Sequence, residues 1–278
     1  MTAITEQTCT KAWLAAARHL NSQVNWRAYN IVLEIKDPLG LPADDRRVHD
    51  LVDNFLLEKA DKRLSTIINT IFPAALYCRY GRAGVFEHFP RIWPTIKKHE
   101  DIKWGSYFRR MTSRTKAGTE FNPLEKLIAK LKVQALSKRP KHAAYEMGLL
   151  DIDEDIPLYD PAADSGRQMG GPCLSHVSFK LNDDNRLMLT AIYRSHHYVH
   201  RALGNLMGLA WLQHFVAKEV GVETAELVCL SSMATLDVKG WGKGDVTKLL
   251  DACDVAMLPQ SLKHSSVTPE VVEAVDSK

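Results

Sequence analysis

Apolar positions recur at three- and four-residue spacing over Thr10 to Leu20, Val48 to Leu57 and Leu64 to Tyr77, the spacing that gathers one face of a helix. Pro73 breaks the third stretch. Between the first two, Ile31-Val32-Leu33-Glu34-Ile35 alternates too little for a surface strand and predicts a buried one, closed by the turn Asp37-Pro38-Leu39-Gly40. Asn122-Pro123 opens a helix with proline at its first position and an apolar stripe of Leu124, Leu127, Ile128 and Leu131. Val177 to Leu181 and Leu187 to Tyr193 read as strands joined by the turn Asn182-Asp183-Asp184-Asn185, a hairpin. From Leu203 the apolar residues wrap most of a helical cylinder, which predicts a central buried helix, and Gly221 marks its end. Glu226 to Ser231 predicts one further strand. These elements give an α+β class, an antiparallel sheet packed on helices.

Composition narrows the picture little. The 278 residues carry 36 Lys+Arg against 33 Asp+Glu, and a net +3 spread along the chain leaves no footprint for nucleic acid. No apolar run reaches the length of a membrane span, and Met1 to Thr10 lacks the apolar core of a secretion signal, so a cytoplasmic protein that binds no membrane is expected. Five cysteines, odd in number and without a C-x-x-C pair, predict free thiols, most of them buried, and no metal knuckle. With no repeat and no low-complexity linker, one domain over residues 1–278 is the simplest organisation.

The chemistry concentrates late in the chain. The acidic, Pro- and Gly-rich segment from Leu149 to Gly171 reads as a surface loop leading to Gly171-Pro172-Cys173-Leu174-Ser175-His176. A thiolate is the side chain best suited to add to an electron-poor carbon, and Arg194 of Tyr193-Arg194-Ser195-His196-His197 is a neighbouring cation expected to depress its pKa. His176, three residues past Cys173 in a strand, faces the other way and reads as a packed histidine; His197 is the better acid/base candidate. His196 and His200 would share a face only in a helix, and the extended or looped backbone expected there argues against a metal. Gly240-Trp241-Gly242-Lys243-Gly244 lacks the setting of a phosphate loop and reads as a flexible one.

Pro172-Cys173, the strand pair, Arg194-Ser195, Leu203-Gly204-Asn205 and the long helix after it resemble the central half of the thymidylate synthase and pyrimidine nucleotide hydroxymethylase superfamily. The resemblance covers roughly residues 25–240, with 100–240 the best-matching core, and is strongest from 171 to 221. It implies a sheet, antiparallel or mixed, against helices, through which a homodimer forms. It also implies a transferase in which Cys173 adds to C6 of a pyrimidine nucleotide monophosphate and 5,10-methylenetetrahydrofolate supplies a methyl or hydroxymethyl carbon to C5. The family's Arg-Ser pair, which binds the 5'-phosphate, falls on Arg194 and Ser195, and its base-reading amide on Asn205. An amide both donates and accepts, which suits the N3–H/O4 edge of uracil; the cytosine hydroxymethylases have aspartate there. Ser137-Lys138-Arg139-Pro140 is similar to the segment that lends two arginines across the dimer to the neighbour's phosphate, so Lys138 and Arg139 are the implied trans ligands, and Arg27 is the candidate for an N-terminal phosphate arginine. Trp93 falls in the folate-stacking region, and Trp104-Gly105-Ser106-Tyr107-Phe108-Arg109 resembles the family's Tyr-Gly segment, which makes Trp93 and Trp104 the candidate cofactor contacts.

The departures are as specific. The family's proton-relaying glutamate falls on Thr70, its aspartate after Arg-Ser on His197, and its sugar-holding His and Tyr on Thr235 and Asp237. Two other readings follow from these changes: a non-catalytic or repurposed nucleotide-binding paralogue, and an enzyme acting on a phosphorylated compound that is not a nucleotide.

Overall fold

The computed structural model describes residues 1–98, 106–116, 118–137, 141, 143, 145–149, 172–238 and 240–258. The chain opens with strand β1 (Thr2–Glu6), helix α1 (Cys9–Asn21) and strand β2 (Arg27–Ile35). β1 and β2 pair in parallel, from Thr2 opposite Ile31 to Glu6 opposite Ile35, so the three form a βαβ unit. Thr8 caps α1 by accepting the Lys11 amide hydrogen. Four helices follow, α2 (Ala43–Ala60), α3 (Leu64–Ile71), α4 (Ala74–Ala83) and α5 (Phe89–Ile96), the last two joined by a π-helical turn at Gly84–His88. The break between α3 and α4 falls at Phe72-Pro73, as the proline predicts. After α6 (Tyr107–Thr112) and a small hairpin of β3 (Arg114–Lys116) and β4 (Thr119–Phe121) comes α7 (Pro123–Ala135). It buries the predicted stripe Leu124, Leu127, Ile128 and Leu131, and its cap Asn122 accepts the Glu125 amide hydrogen.

The second half builds the rest of the main sheet from β5 (Glu146–Gly148), β6 (Leu174–Leu181), β7 (Leu187–Tyr193), β8 (His196–His197) and β9 (Thr224–Thr235). Between β8 and β9 lie a π-helical turn at Tyr198–Ala202 and α8 (Leu203–Val220), and α9 (Lys243–Met257) follows β9. The strand order is β1-β2-β9-β7-β6-β5, with β8 also on β9. The sheet is mixed: β1/β2, β7/β9 and β8/β9 are parallel and the other pairs antiparallel, where strand patterning alone suggests an antiparallel sheet. β7 leads through α8 into β9, and a helical crossover returns the chain in parallel.

Helices cover one face. Along β9 the alternate residues Ala225, Leu227, Cys229 and Ser231 are buried, whereas Val228 and Leu230 are half-buried on the other face, beside Ile192 of β7 and Val32 of β2. α8 is the central helix, buried on most sides, and Gly221 ends it in the left-handed conformation at φ 87. Phe215 of α8 joins Phe72 and Tyr77 at ring separations of 5.3 Å each, locking α8 to the α3–α4 corner. α8 approaches α3 closely enough that a Cβ on Gly204 would meet Ile67 at 2.7 Å, and one on Gly208 would meet Ile71 at 2.9 Å. The segment 240–244 is a loop only as far as Gly242: Trp241 packs on Phe55 and His200 at 5.7 and 5.5 Å, and Lys243 already begins the 15-residue α9.

Candidate functional site

Strand register gathers most of the predicted residues at one end of the sheet. β6 runs against β7, so the residue before β6 and the residue after β7 are neighbours: Leu174 pairs with Tyr193, and the Arg194 amide donates to the Cys173 carbonyl at 2.9 Å. The Arg194 guanidinium also turns back on the chain entering the cysteine, with Nε donating to the Pro172 carbonyl at 3.0 Å. On the neighbouring strands His197, Thr235 and Arg27 lie in register across β8, β9 and β2, with His197 and Arg27 exposed and Thr235 half-exposed.

Cys173 is half-buried. Its amide donates to the Tyr107 hydroxyl at 3.1 Å and that of Leu174 does so at 3.4 Å, so one phenol anchors the start of β6. The thiol does not have the depressed pKa expected from Arg194. Burial pushes it above the ordinary thiol value, and the charges of Arg194 and Arg201 offset only part of that. Tyr107 is itself pushed up to about 12, chiefly by burial and then by Cys173, against the pull of the two amide donors and Arg201.

Tyr107 and Arg201 are the residues that sequence reasoning missed. Tyr107 sits behind a serine cap, Ser106, that accepts the Arg109 amide hydrogen, and such a cap only announces a short helix. Arg201 stands in the π-helical turn, a charge inside an otherwise apolar approach to α8, and that charge was its only signal. The turn is held from below by Asp237, whose two carboxylate oxygens accept the amides of Val199 and His200 at 2.8 and 3.2 Å. Burial raises the Asp237 pKa; those amides and His197 oppose it. The expectation of extended or looped backbone therefore holds at His196 and His197 and fails at His200, which is in the turn.

Asn205, in the first turn of α8, is 4% exposed, and its Nδ2–H donates to His196 Nε2 at 3.1 Å. His196 points into the interior, unlike its neighbour His197. Ser195 is half-exposed and Arg194 exposed. His176 is not packed in the core: it is half-exposed on the open sheet face with Nε2 2.7 Å from Glu146.

A cleft of about 250 Å³ opens beside this end of the sheet, lined by Thr66, Thr70, Phe89, Ile92, Trp93 and Ser106 among others. Ser106 and Tyr107 connect it to the cysteine. The Thr70 hydroxyl donates to the Ile67 carbonyl at 2.7 Å within its own helix. Trp104, Lys138 and Arg139 lie outside the described residues, as does nearly all of the segment 149–171. No helix among the described residues is long and apolar enough to cross a membrane.

No protein-family model matches the chain. A protein of Methanothermobacter marburgensis named "Putative thymidylate synthase" is 29% identical over 163 residues, 55% of this chain and 70% of that protein. Proteins of the same name match over shorter stretches: 40% identity over 76 residues in Methanothermobacter thermautotrophicus, and 29% over 122 residues in Methanosarcina mazei. These stretches cover 27% and 44% of this chain, and 33% and 49% of those proteins, less than two thirds of their length. A thermostable thymidylate synthase A from Bacillus subtilis superimposes with a TM-score of 0.48 at 13% identity, over 88% of this chain and 84% of its own. By sequence the chain is similar to archaeal proteins named putative thymidylate synthase.

Proposed function

We propose that the protein is an enzyme that adds the Cys173 thiolate to C6 of a pyrimidine 5'-nucleotide and transfers a one-carbon unit to C5, uracil-type bases favoured. The observation that carries this reading is the backbone bond between Arg194 and Cys173, with the Arg194 guanidinium folded toward the same residues. It holds a thiol and a guanidinium on adjoining strand ends, which supports reading them as nucleophile and phosphate cation. Arg194, Ser195 and Arg27 hold the 5'-phosphate, with Lys138 and Arg139 reaching across a two-fold homodimer. Thr235 and Asp237 lie at the sugar. The half-buried apolar sheet centre of Val32, Ile192, Val228 and Leu230 supports pairing through this face.

In the addition, the S–C6 bond forms, the C5–C6 π bond opens, and charge passes to C5 and O4. Arg194 and Arg201 favour the thiolate, and Asn205 faces the base edge. His197, exposed at the same sheet end, takes the thiol proton as the S–C6 bond forms, and the C5 proton leaves to water once C5 carries the one-carbon unit; Thr70 takes neither, being a neutral hydroxyl tied to Ile67. The aromatic, uncharged walls of the neighbouring cleft fit a flat heteroaromatic group, and Trp93 and Phe89 would hold 5,10-methylenetetrahydrofolate there. When bound, that cofactor supplies the one-carbon unit.

A second reading, a nucleotide-binding protein without catalysis, draws on the raised thiol pKa and on Thr70. Tritium release from C5-labelled UMP, dUMP, CMP and dCMP separates the two, because addition at C6 labilises C5–H even when carbon transfer fails. Release above the Cys173→Ala background with any of them supports the enzyme. Equal release by wild type and Cys173→Ala with all four, alongside a thermal shift with at least one, supports the binding protein.

A further inference from the structure

Behind Asn205 lies a closed chain of polar groups. His196 is 1% exposed, with its ring flat on Tyr193 at a centroid separation of 4.0 Å and an interplanar angle of 3°. Its Nδ1 lies 2.9 Å from Ser231 Oγ, and Ser231 Oγ lies 3.3 Å from the Tyr198 hydroxyl. Burial, reinforced by the nearby His197 charge, pushes the His196 pKa down to about 3, so the ring is neutral and carries one N–H. Because Nε2 accepts from Asn205, that hydrogen is on Nδ1 and is donated to Ser231.

A side-chain amide can be flipped, exchanging its oxygen and nitrogen at almost no cost in shape. In this pocket the two flips are not equivalent. Turning Asn205 over would put Oδ1 against the Nε2 lone pair. Relief would need the proton on Nε2 and a bare Nδ1, so the whole chain must reverse, with the Ser231 hydroxyl turning to donate to Nδ1 and the Tyr198 hydroxyl to donate to Ser231, in a space without water access. The base edges differ in the same sense: uracil offers a donor at N3 and an acceptor at O4, cytosine an acceptor at N3 and a donor at N4. An amide set for one is mismatched to the other.

We propose that His196 is a positioning residue that fixes the flip of Asn205, and that the discrimination between uracil-type and cytosine-type nucleotides is set by this second layer. The inference rests on the reading of Asn205 as the amide that meets the base.

The test is the ratio of Kd values for UMP and CMP, and for dUMP and dCMP, by titration calorimetry on the full chain. Wild type is expected to separate the members of a pair by tenfold or more. In Ser231→Ala the Nδ1–H tautomer loses its acceptor and strands a buried donor, which favours Nε2–H, so the ratio moves at least fivefold toward the other base. His196→Ala brings the two Kd values within about twofold. If His196→Ala does not fold, the Ser231→Ala ratio decides. An unchanged ratio in the folded variants, with Asn205→Ala abolishing discrimination, overturns the role of His196 and leaves Asn205 as the base contact. An unchanged ratio in Asn205→Ala overturns both. Equal affinity for both bases in wild type overturns the inference at the outset; binding of neither also overturns the nucleotide reading.

Discussion

Replacing Gly204 with alanine tests the contact that brings the cleft wall against the central helix. The added Cβ would stand 2.7 Å from both Cβ and Cγ2 of Ile67 and 3.4 Å from the Leu64 carbonyl oxygen. Carbon atoms in good contact sit about 3.5–4.0 Å apart, so the overlap is close to 1 Å. The Ile67 Cβ is fixed to its backbone, and no rotamer change withdraws it; α3 as a whole must back away. Overpacking of this kind costs about 1–3 kcal/mol, and both clashing atoms belonging to one rigid helix argues for the upper half of that range. Alanine recovers up to about 1 kcal/mol of helix propensity, leaving a net loss of roughly 1–2 kcal/mol. For a chain of this size that lowers Tm by about 2–8 °C, measurable by calorimetry or by a circular-dichroism melt. Gly244→Ala is the control: it lies inside α9 and its Cβ would meet nothing within 4 Å, so its Tm should hold or rise slightly. Gly204→Ala melting with wild type would refute the close approach of α3 and α8.

Iodoacetamide should modify Cys173 more slowly at neutral pH than the exposed Cys78, because burial raises the Cys173 thiol. Arg201→Met should slow it further and Arg201→Lys restore it; an apparent thiol pKa below that of a free cysteine would sink this account. His196 makes the fold acid-sensitive. Its unfolded pKa near 6.5 exceeds the folded value of about 3, so its stabilisation is whole above pH 6.5 and declines by about 1.4 kcal/mol per pH unit as pH falls through that window. Urea unfolding at pH 7, 6 and 5 should show a shallower pH slope in His196→Asn, and equal slopes would contradict the buried neutral ring. Tyr107→Phe keeps the ring packing but removes the acceptor of two amide hydrogens, for a loss of about 1–3 kcal/mol in denaturant unfolding. A variant as stable as wild type would show that those amides find other partners.

Much of this fold was legible because its signals are local. Asn122-Pro123, the Asn182–Asn185 turn and Gly221 each act within a few residues, and the structure has a helix, a hairpin and a helix end there. The buried strand at Ile31–Ile35 was visible, while its partner β1 was not, since Thr2–Glu6 offers only Ile4 as a partly buried apolar residue at a sheet edge. The approach of Cys173 and Arg194 followed from reading a hairpin between them. The thiol pKa did not, because it depends on how much water the folded chain removes. Nor did Asn205: a residue read as facing a ligand has its amide bonded to a histidine that belongs to no recognisable motif.

The strand at the middle of the sheet, β9, is made late. β2 and β7 both pair with it, yet roughly 190 residues separate the end of β2 from its start. At 5–20 residues per second on a ribosome, β2 waits on the order of 10–40 s for its neighbour. During that interval β2 has β1 on one side and a bare edge on the other, and β6 and β7 form a hairpin with a bare edge of their own. Synthesis is therefore the period in which this chain is most open to aggregation, and chaperone demand should end as Thr224–Thr235 emerges and fills the gap.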